Sequence, residues 1–181
     1  IVHGHALSDA QLKRFCDLGM SFSAAAESEM SQGHGHPITG RLLALGHAPS
    51  LGVDLESVLS GDMFTQARVA LGMQRTLDNF AHREAHGSIP PTSTVRTRQA
   101  LSWITVEGAK MLGQSDRIGS LAKGKQADLV LIRASDLNMQ PVHDPVNSVV
   151  MQTSLANIDS VMVAGRWKKR AGRLLDVDLA P

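Results

Sequence analysis

Apolar positions in the first half of the chain alternate between short continuous runs and stripes with helical spacing. Three short runs predict strands, and each is followed by a segment whose apolar residues recur every three or four positions, which predicts a helix. The predicted strands cover residues 1–2, 20–25 and 49–53. The predicted helices cover residues 9–18, 37–45 and about 62–84. A strand followed by a helix, repeated three times at short intervals, indicates parallel βα units.

Local signals mark where these helices begin and end. Ser8 can cap the first helix, and Gln11, three residues later, completes a capping box. Pro37 suits the first turn of the second helix, and Gly46 is placed to end it. The polar, glycine-rich stretch 27–36, which precedes that helix, is expected to be a loop.

The pattern changes after about residue 113. Two short helices, expected at residues 95–104 and 106–112, complete a first region that we expect to span residues 1–113. Later runs favour strands and predict a small β unit over residues 114–181. Its strands are expected at residues 118–121, 127–132, 149–151, 160–163 and 172–175, with turns at 123–125 and 164–166.

Three βα units are too few to close a barrel. A (β/α)₈ barrel needs eight strands and about 250 residues, whereas this chain has 181. Either the sheet is open or partner strands are missing. The chain begins Ile1-Val2-His3 without an initiator methionine, and this apolar start reads as a strand entered midway. We therefore expect further residues upstream; a processed or engineered terminus is the alternative explanation.

Composition and charge argue against two classes of partner. Hydrophobic residues make up 43% and charged residues 19% of the sequence, which is ordinary for a globular protein. The 18 basic and 17 acidic residues leave a formal net charge of +1, so nucleic-acid binding has no electrostatic support. No apolar run approaches the roughly 20 residues of a membrane span. The single cysteine, Cys16, cannot form an internal disulfide, so a reducing, cytoplasmic location is expected.

One segment of the second region carries a family signature. Residues 118–132, IGSLAKGKQADLVLI, resemble a motif of the cytosine deaminase and chlorohydrolase branch of the amidohydrolase superfamily. In that family the motif lies in a small β-sandwich beside a barrel. Residues 109–113 (AKMLG) match the same family, and residues 161–166 (VMVAGR) match its closing hairpin.

The first region resembles the same family in the same order. Residues 3–9 look like the end of barrel strand six, and residues 51–54 look like the end of strand eight. The resemblance therefore implies an α/β fold: the C-terminal part of a (β/α)₈ TIM barrel, about strands six to eight, in residues 1–113. A small β-sandwich segment would follow in residues 114–181.

The resemblance also implies a metal-dependent hydrolase. In the family, a His-x-His on strand one, a His on strand five and an Asp on strand eight bind the metal. Only the strand-eight Asp has a counterpart here, Asp54, so the other ligands are expected upstream of Ile1. By this resemblance Asp54 ligates one divalent ion, with zinc preferred over iron, and takes a proton from the metal-bound water. From spacing alone, a strand-end Asp that caps the following turn is the more ordinary interpretation.

Three further residues are candidates for substrate contact. His3 matches the strand-six His, which the resemblance places over the substrate as a catalytic and binding group; an imidazole can donate to developing negative charge. Glu29 stands where many deaminases have the Asn of Pro-x-Ser-Asn, and a carboxylate there would favour a cationic or donor-rich substrate edge. His34 is expected at the rim of the site. The alternatives are a polar chain end for His3 and a solvated loop acid for Glu29.

Two His-Gly-His sequences have the spacing that places both imidazoles on one face of a strand. They are residues 3–5 and 34–36. Neither has the sequence context of the family's metal pair. We expect His5 to be a polar group at a helix start and His36 to be a second rim residue.

The sequence thus predicts part of an enzyme that hydrolyses a C–N or C–halide bond of a small nitrogen heterocycle. On its own, the 181-residue chain is expected to be inactive, because most metal ligands are absent. The alternative is a non-catalytic half-barrel that acts in assembly or binding. Open sheet edges favour a homo-oligomer.

Overall fold

Helices and strands alternate through the first half of the chain, and an antiparallel sheet dominates the second. The computed structural model describes residues 1–177. The helices are α1 (Asp9–Asp17), α2 (Ala26–Ser31), α3 (Thr39–Ala44), α4 (Met63–His86), α5 (Thr97–Trp103), α6 (Val106–Met111) and α7 (Pro145–Met151). The strands are β1 (Ser23–Ala24), β2 (Ser50–Leu51), β3 (Leu129–Ile132), β4 (Ile158–Val163), β5 (Arg166–Arg170) and β6 (Arg173–Leu174). The predicted α/β class is confirmed.

Three short segments near the start of the chain run parallel to one another. β1 pairs with β2, and Val2 forms a parallel bridge to Ser23 of β1. The N–H of His3 donates to the Ser23 carbonyl at 2.8 Å, and the N–H of Gly52 donates to the Ala24 carbonyl at 3.0 Å. Each strand is shorter than predicted. Because the pairing is parallel, the carboxyl ends of all three segments lie at one edge.

Helices cover this small sheet and bury its apolar neighbours. Most of the buried side chains lie on the stripes that the sequence pattern predicts. The cluster includes Leu12, Cys16, Phe22, Ile38, Leu42, Leu71, Ala100 and Trp103. Each large side chain in it stabilises the fold by about 1.5–3 kcal/mol relative to an exposed position. None of the helices in residues 1–177 is both long and apolar enough to cross a lipid bilayer.

The helix ends follow the predicted signals. The Ser8 hydroxyl accepts from the N–H of Gln11, and the Gln11 side chain accepts from the N–H of Ser8 at 2.9 Å. This is the predicted capping box. Asp62 caps α4 by accepting from the N–H of Thr65 at 2.7 Å, and Gly87 ends the helix with a φ of 69°. A cap of this kind stabilises a helix by about 1 kcal/mol.

The stretch 27–36 was expected to be a loop, and that prediction is wrong for its first turns, which belong to α2. Ala25, the residue before the helix, has no capping side chain of its own. Its N–H donates instead to the Glu29 carboxylate at 3.0 Å, and the N–H of Glu27 donates to the Gln66 side chain of α4 at 3.2 Å. A side chain from within the helix and one distant in sequence thus satisfy N–H groups at the start of α2, where Ala25 supplies no cap.

The second half contains one antiparallel sheet, in the order β3-β4-β5-β6. Ala164 and Gly165 both have positive φ, 48° and 78°, so a tight turn joins β4 to β5 at the predicted place. Ala171 and Gly172 do the same between β5 and β6. Within residues 1–177 this sheet is a single layer, so this part of the chain does not form both sheets of the predicted β-sandwich.

Residues 149–151 were expected to form a strand but lie in α7. The Asp144 carboxylate caps that helix by accepting from the N–H of Val146 at 2.8 Å, and Pro145 occupies the first turn. This strong helix start outweighs the strand preference of the valines that follow. α7 packs on α4 and α5, and its Val150 belongs to the buried core of the first region. The predicted division at residue 113 stays a prediction.

Residues 118–121 were also expected to form a strand, but residues 118–120 form bends and Leu121 lies outside any helix or strand. Gly119 has a φ of 85°, and a Cβ at this position would overlap the side chain of Ala109 in α6. Close packing on α6 therefore holds this segment in irregular backbone rather than in a ladder.

Candidate active site at the edge of the parallel sheet

The residues that follow the three parallel segments lie at a common edge of the sheet. His3 follows the bridge at Val2, α2 follows β1 directly, and Asp54 comes three residues after β2. In open α/β sheets and barrels, ligands bind where the carboxyl ends of parallel strands meet. The edge that carries His3 and Asp54 is therefore the candidate site.

His3 and Asp54 share an unusual backbone conformation. Their φ angles are 66° and 72°, in the left-handed region that L-residues with a Cβ rarely adopt. The conformation costs about 1–2 kcal/mol per residue. Strained residues of this kind concentrate at functional sites, where the surrounding structure holds them. At this sheet edge the left-handed backbone occurs at the same two residues that the sequence proposes as catalytic, whereas at Ala164 and Ala171 it belongs to hairpin turns.

His3 is paired with a buried carboxylate. Its Nδ1 lies 3.0 Å from Oε1 of Glu29, which also accepts the N–H of Ala25 at 3.0 Å. The Glu29 side chain is 0% exposed, whereas the His3 side chain is 34% exposed. The sequence proposes Glu29 as a residue that contacts substrate. In the structure Glu29 is buried beneath His3, and within residues 1–177 its Oε1 contacts the imidazole and the N–H of Ala25; its contact with substrate stays a prediction.

Asp54 is exposed and is held by the same helix. Its Oδ2 accepts the hydroxyl of Ser28 at 2.7 Å, and the Ser28 hydroxyl in turn accepts from Gln32 at 2.7 Å. Ser28 is buried and was not proposed as a site residue. The signal that could have found it is the Ser that this chain retains from the Pro-x-Ser-Asn pattern. Neighbouring residues of α2, Ser28 and Glu29, therefore hold Asp54 and His3.

A third residue of α2 fixes the helix itself. The Glu27 carboxylate accepts the Ser60 hydroxyl at 2.6 Å and the amide of Gln66 at 2.8 Å. Gln66 lies in α4 and is 0% exposed. Glu27 thus ties α2 to the long helix and to the segment that precedes it. Because α2 is anchored here, the groups that it presents to His3 and Asp54 have little freedom to move.

Two further histidines, His5 and His34, lie near His3 without completing a metal cluster within residues 1–177. The rings of His5 and His34 stack, with centroids 5.3 Å apart, and the ring of His5 lies 6.3 Å from that of His3. His34 is exposed, which agrees with a rim position, and its role stays a prediction. His36 faces the carbonyl of its own neighbour, Pro37, at 3.3 Å from Nδ1.

The described residues offer single metal donors rather than a complete site. Within residues 1–177, no three side chains of the His, Cys, Asp or Glu type lie close enough together to hold an ion. Asp54 can supply one donor, because it is exposed and its hydrogen bond within this range uses Oδ2 only. Two cavities of about 270 and 310 Å³ lie elsewhere, and neither is lined by His3, Glu29 or Asp54.

Comparison with curated proteins shows what this chain resembles. It is 33% identical to an 8-oxoguanine deaminase of Pseudomonas aeruginosa over 181 residues, which is 99% of this chain and 37% of that protein. It is 31% identical to a 5-methylthioadenosine/S-adenosylhomocysteine deaminase of Acetivibrio thermocellus over 173 residues, which is 95% of this chain and 38% of that protein. The chain thus spans less than two fifths of the length of these relatives.

Solved structures give the same result for the fold. An adenosine deaminase from Xanthomonas campestris with bound zinc superposes with a TM-score of 0.81 at 27% identity, over 98% of this chain and 38% of that one. An atrazine chlorohydrolase from Arthrobacter aurescens, complexed with zinc, superposes with a TM-score of 0.75 over 98% of this chain and 37% of that one; at 23% identity this likeness shows the fold alone. The profile of the Amidohydrolase family matches residues 1–168. This chain therefore belongs to the amidohydrolase family, and its relatives fit the branch of cytosine deaminase-like and chlorohydrolase-like enzymes.

Proposed function

We propose that this chain is the C-terminal part of a metal-dependent hydrolase that removes an amino group from a small nitrogen heterocycle. The observation that carries the proposal is the pairing of the exposed Asp54 and the part-exposed His3 at one sheet edge, both held by α2. The similar proteins are deaminases of 8-oxoguanine and of adenosine derivatives, which supports a C–N bond as the target. Hydrolysis of a C–halide bond, with release of halide, is the alternative reaction.

In this proposal the three parallel segments are about strands six to eight of a (β/α)₈ barrel. The extent of the superposition on the zinc-containing adenosine deaminase, 98% of this chain but 38% of that one, supports a part of a longer fold, and the motif resemblances favour its later strands. The remaining strands and metal ligands would come from the rest of the protein. The short β1 and β2 would then be completed by neighbours on both sides.

The proposed cofactor is one divalent ion, zinc in preference to iron. A carboxylate, with its negative charge and oxygen donors, suits such an ion, and Asp54 is the donor that this chain would contribute. When bound, such an ion lowers the pKa of a coordinated water towards about 7. Zinc is preferred because similar solved structures contain it, and iron is the alternative because a single carboxylate donor does not discriminate between the two metals.

The chain's own residues have distinct tasks in this reaction. Ser28 donates to Oδ2 of Asp54 and so leaves Oδ1 as the oxygen that can bind the ion or accept a proton. His3 lies at the same sheet edge as Asp54, with β1 between their two segments, and its Nε2 would contact the heterocycle there. Burial of Glu29 means that its charge would influence the substrate through His3.

The full-length protein provides the test of this proposal. We would measure its metal content by mass spectrometry and its release of ammonia from a panel of aminated purines, pyrimidines and triazines. The expected result is about one metal ion per chain and turnover of at least one substrate. Absence of both metal and turnover would favour the alternative, a half-barrel that acts in assembly or binding.

The 181-residue chain serves as the matched control. It should bind less than one metal ion per chain, because it supplies one proposed ligand. Stoichiometric metal in this chain alone would contradict the ligand assignment. Light scattering on the full-length protein would test the predicted homo-oligomer separately.

A further inference from the structure

We infer that Glu29 is a positioning residue that fixes the tautomer and orientation of His3 and presents its Nε2 at the sheet edge. The inference deepens the proposed function, because the use of Nε2 on a substrate rests on the role of His3 in that reaction. The hydrogen-bond geometry itself does not depend on it.

The tautomer follows from what Glu29 already accepts. Its Oε1 receives the N–H of Ala25 at 3.0 Å and also lies 3.0 Å from Nδ1 of His3. An ionised carboxylate oxygen can only accept hydrogen bonds, so the proton of this contact belongs to Nδ1. In the neutral ring Nε2 then keeps its lone pair. Such a nitrogen accepts hydrogen bonds, so an N–H group of the substrate is its preferred partner.

The surroundings hold the imidazole in one place. The His3 N–H is bonded to Ser23, and the next residue, Gly4, has a φ of 85° and lies against the ring of Phe22. On the other side, the carbonyl of Glu29 accepts the N–H of His34 at 2.8 Å. Both partners of the contact are therefore fixed by backbone hydrogen bonds. A ring that is ordered before substrate arrives loses less entropy in the reaction.

Packing alone does not explain a carboxylate at this position. The Glu29 side chain is 0% exposed, and within residues 1–177 its Oε2 has no hydrogen-bond partner. Burying an unsatisfied oxygen of a charged group is unfavourable, and an apolar side chain of similar length would avoid that penalty. Two groups, Nδ1 of His3 and the N–H of Ala25, need an acceptor at this position, and an apolar side chain would satisfy neither. Partners of this kind orient histidines at metal and catalytic centres.

Nitrogen NMR of the isotopically labelled 181-residue chain tests the tautomer directly. The signals of His3 are assigned by their loss in His3→Asn, and spectra are recorded at a pH where the ring is neutral. We expect a protonated Nδ1 and an unprotonated Nε2 in the wild type. Glu29→Met should shift the ring towards the Nε2–H form, and Glu84→Gln, which removes an exposed carboxylate from α4, should not. An Nε2–H tautomer in the wild type overturns the inference, whether or not the Met variant folds.

Kinetics of the full-length enzyme give the second readout. Glu29→Met should lower kcat by about 10–100-fold with little change in KM. Glu29→Gln keeps an amide oxygen as acceptor and should recover part of this loss, while Glu84→Gln, at an exposed position of α4, stays near wild type. An equal loss of kcat in both Glu29 variants, with the tautomer of His3 unchanged, would contradict the positioning role. If the full-length protein hydrolyses nothing, the proposed function fails, and the NMR result still decides the inference.

Discussion

The Ser28 hydroxyl donates to Oδ2 of Asp54 across 2.7 Å, so a buried residue of α2 sets the direction of the exposed carboxylate. If Asp54 is a metal ligand that also moves a proton, Asp54→Asn should lower turnover of the full-length enzyme by about 10²–10⁴-fold while the fold stays intact. The measurement is kcat together with metal content and circular dichroism. Unchanged kinetics would remove Asp54 from its assigned role.

Removal of the supporting hydroxyl should have a smaller effect. Ser28→Ala leaves Asp54 in place but free to rotate, and we expect a loss of about 10–100-fold in activity or metal affinity. Ser31→Ala is the matched control, because Ser31 is exposed at the end of the same helix. An equal effect of both alanine variants would mean that α2 is disturbed generally and that Ser28 has no specific role.

Gly40 should tolerate no side chain, because α3 and α4 approach closely there. A Cβ on Gly40 would overlap the buried side-chain amide of Gln74. That amide accepts from Thr39 at 3.2 Å and donates to Asp78 at 2.7 Å, so it cannot move without losing both bonds. Gly40→Ala should therefore lower the free energy of unfolding by about 1–3 kcal/mol in urea denaturation.

Gly72 provides the control for that substitution. It lies in α4, is exposed, and a Cβ there would meet nothing within 4 Å. Gly72→Ala should raise the free energy of unfolding by about 0.4–1 kcal/mol, because alanine restricts the unfolded chain and favours the helix. Destabilisation by both alanines would show that the Gln74 contact is not the cause.

The antiparallel sheet should lose stability in acid. The pKa of Asp136 is lowered from its ordinary value of 3.8, first by a hydrogen bond from Asn157 and then by Arg133. The pKa of Asp159 is lowered from the same value by the Ser160 hydroxyl and by Arg133. The unfolded chain therefore binds protons before the folded chain does. This contribution to stability is present above pH 3.8 and is lost as the pH falls through the lowered folded values.

Urea unfolding at pH 7 and pH 3 would measure that loss. Asp136→Asn should lower the midpoint at pH 7 and should lose less than the wild type between the two pH values. Asp116→Asn is the control, since Asp116 is exposed and makes no ion pair within the described part of the chain. The same pH dependence in all three proteins would contradict this explanation.

The single thiol should react slowly in the native protein. Cys16 is 5% exposed, and burial raises the pKa of its thiol above the ordinary value of 9.0, with Asp17 acting in the same direction and Lys13 in the opposite one. Because the thiolate is the nucleophile, alkylation by iodoacetamide at pH 8 should be at least about tenfold slower than in denaturant. Comparable rates in both conditions would show that the α1 face opens readily; Cys16→Ser supplies the unlabelled baseline.

Sequence reasoning succeeded where the determining interaction is local. The bond between Ser8 and Gln11 spans three residues, and both the helix and its cap were predicted from them. It failed at residues 149–151, where the cap at Asp144 outweighs an apolar run that favours a strand. α2 was missed because Ala25, the residue before it, is not a capping residue, and its first N–H groups are satisfied by Glu29 from within the helix and by the distant Gln66.

In the site, too, features set by short segments could be predicted, and contacts between residues far apart in sequence could not. His3 and Asp54 could be proposed from short motifs at strand ends. The contact between His3 and Glu29 joins residues 26 positions apart, and Glu29 reads as a solvated loop acid until the fold buries it. No periodicity in the sequence reports such a pairing, since it depends on how α2 leaves β1.

The left-handed backbone at His3 and Asp54 restricts how the site can diversify. Glycine and asparagine adopt such a conformation readily, and aspartate and histidine do so more often than most residues. Valine and isoleucine do so very rarely. A combinatorial library at these two positions should therefore lose β-branched variants to misfolding before any selection for catalysis, and the evolutionary routes open to this edge are correspondingly few.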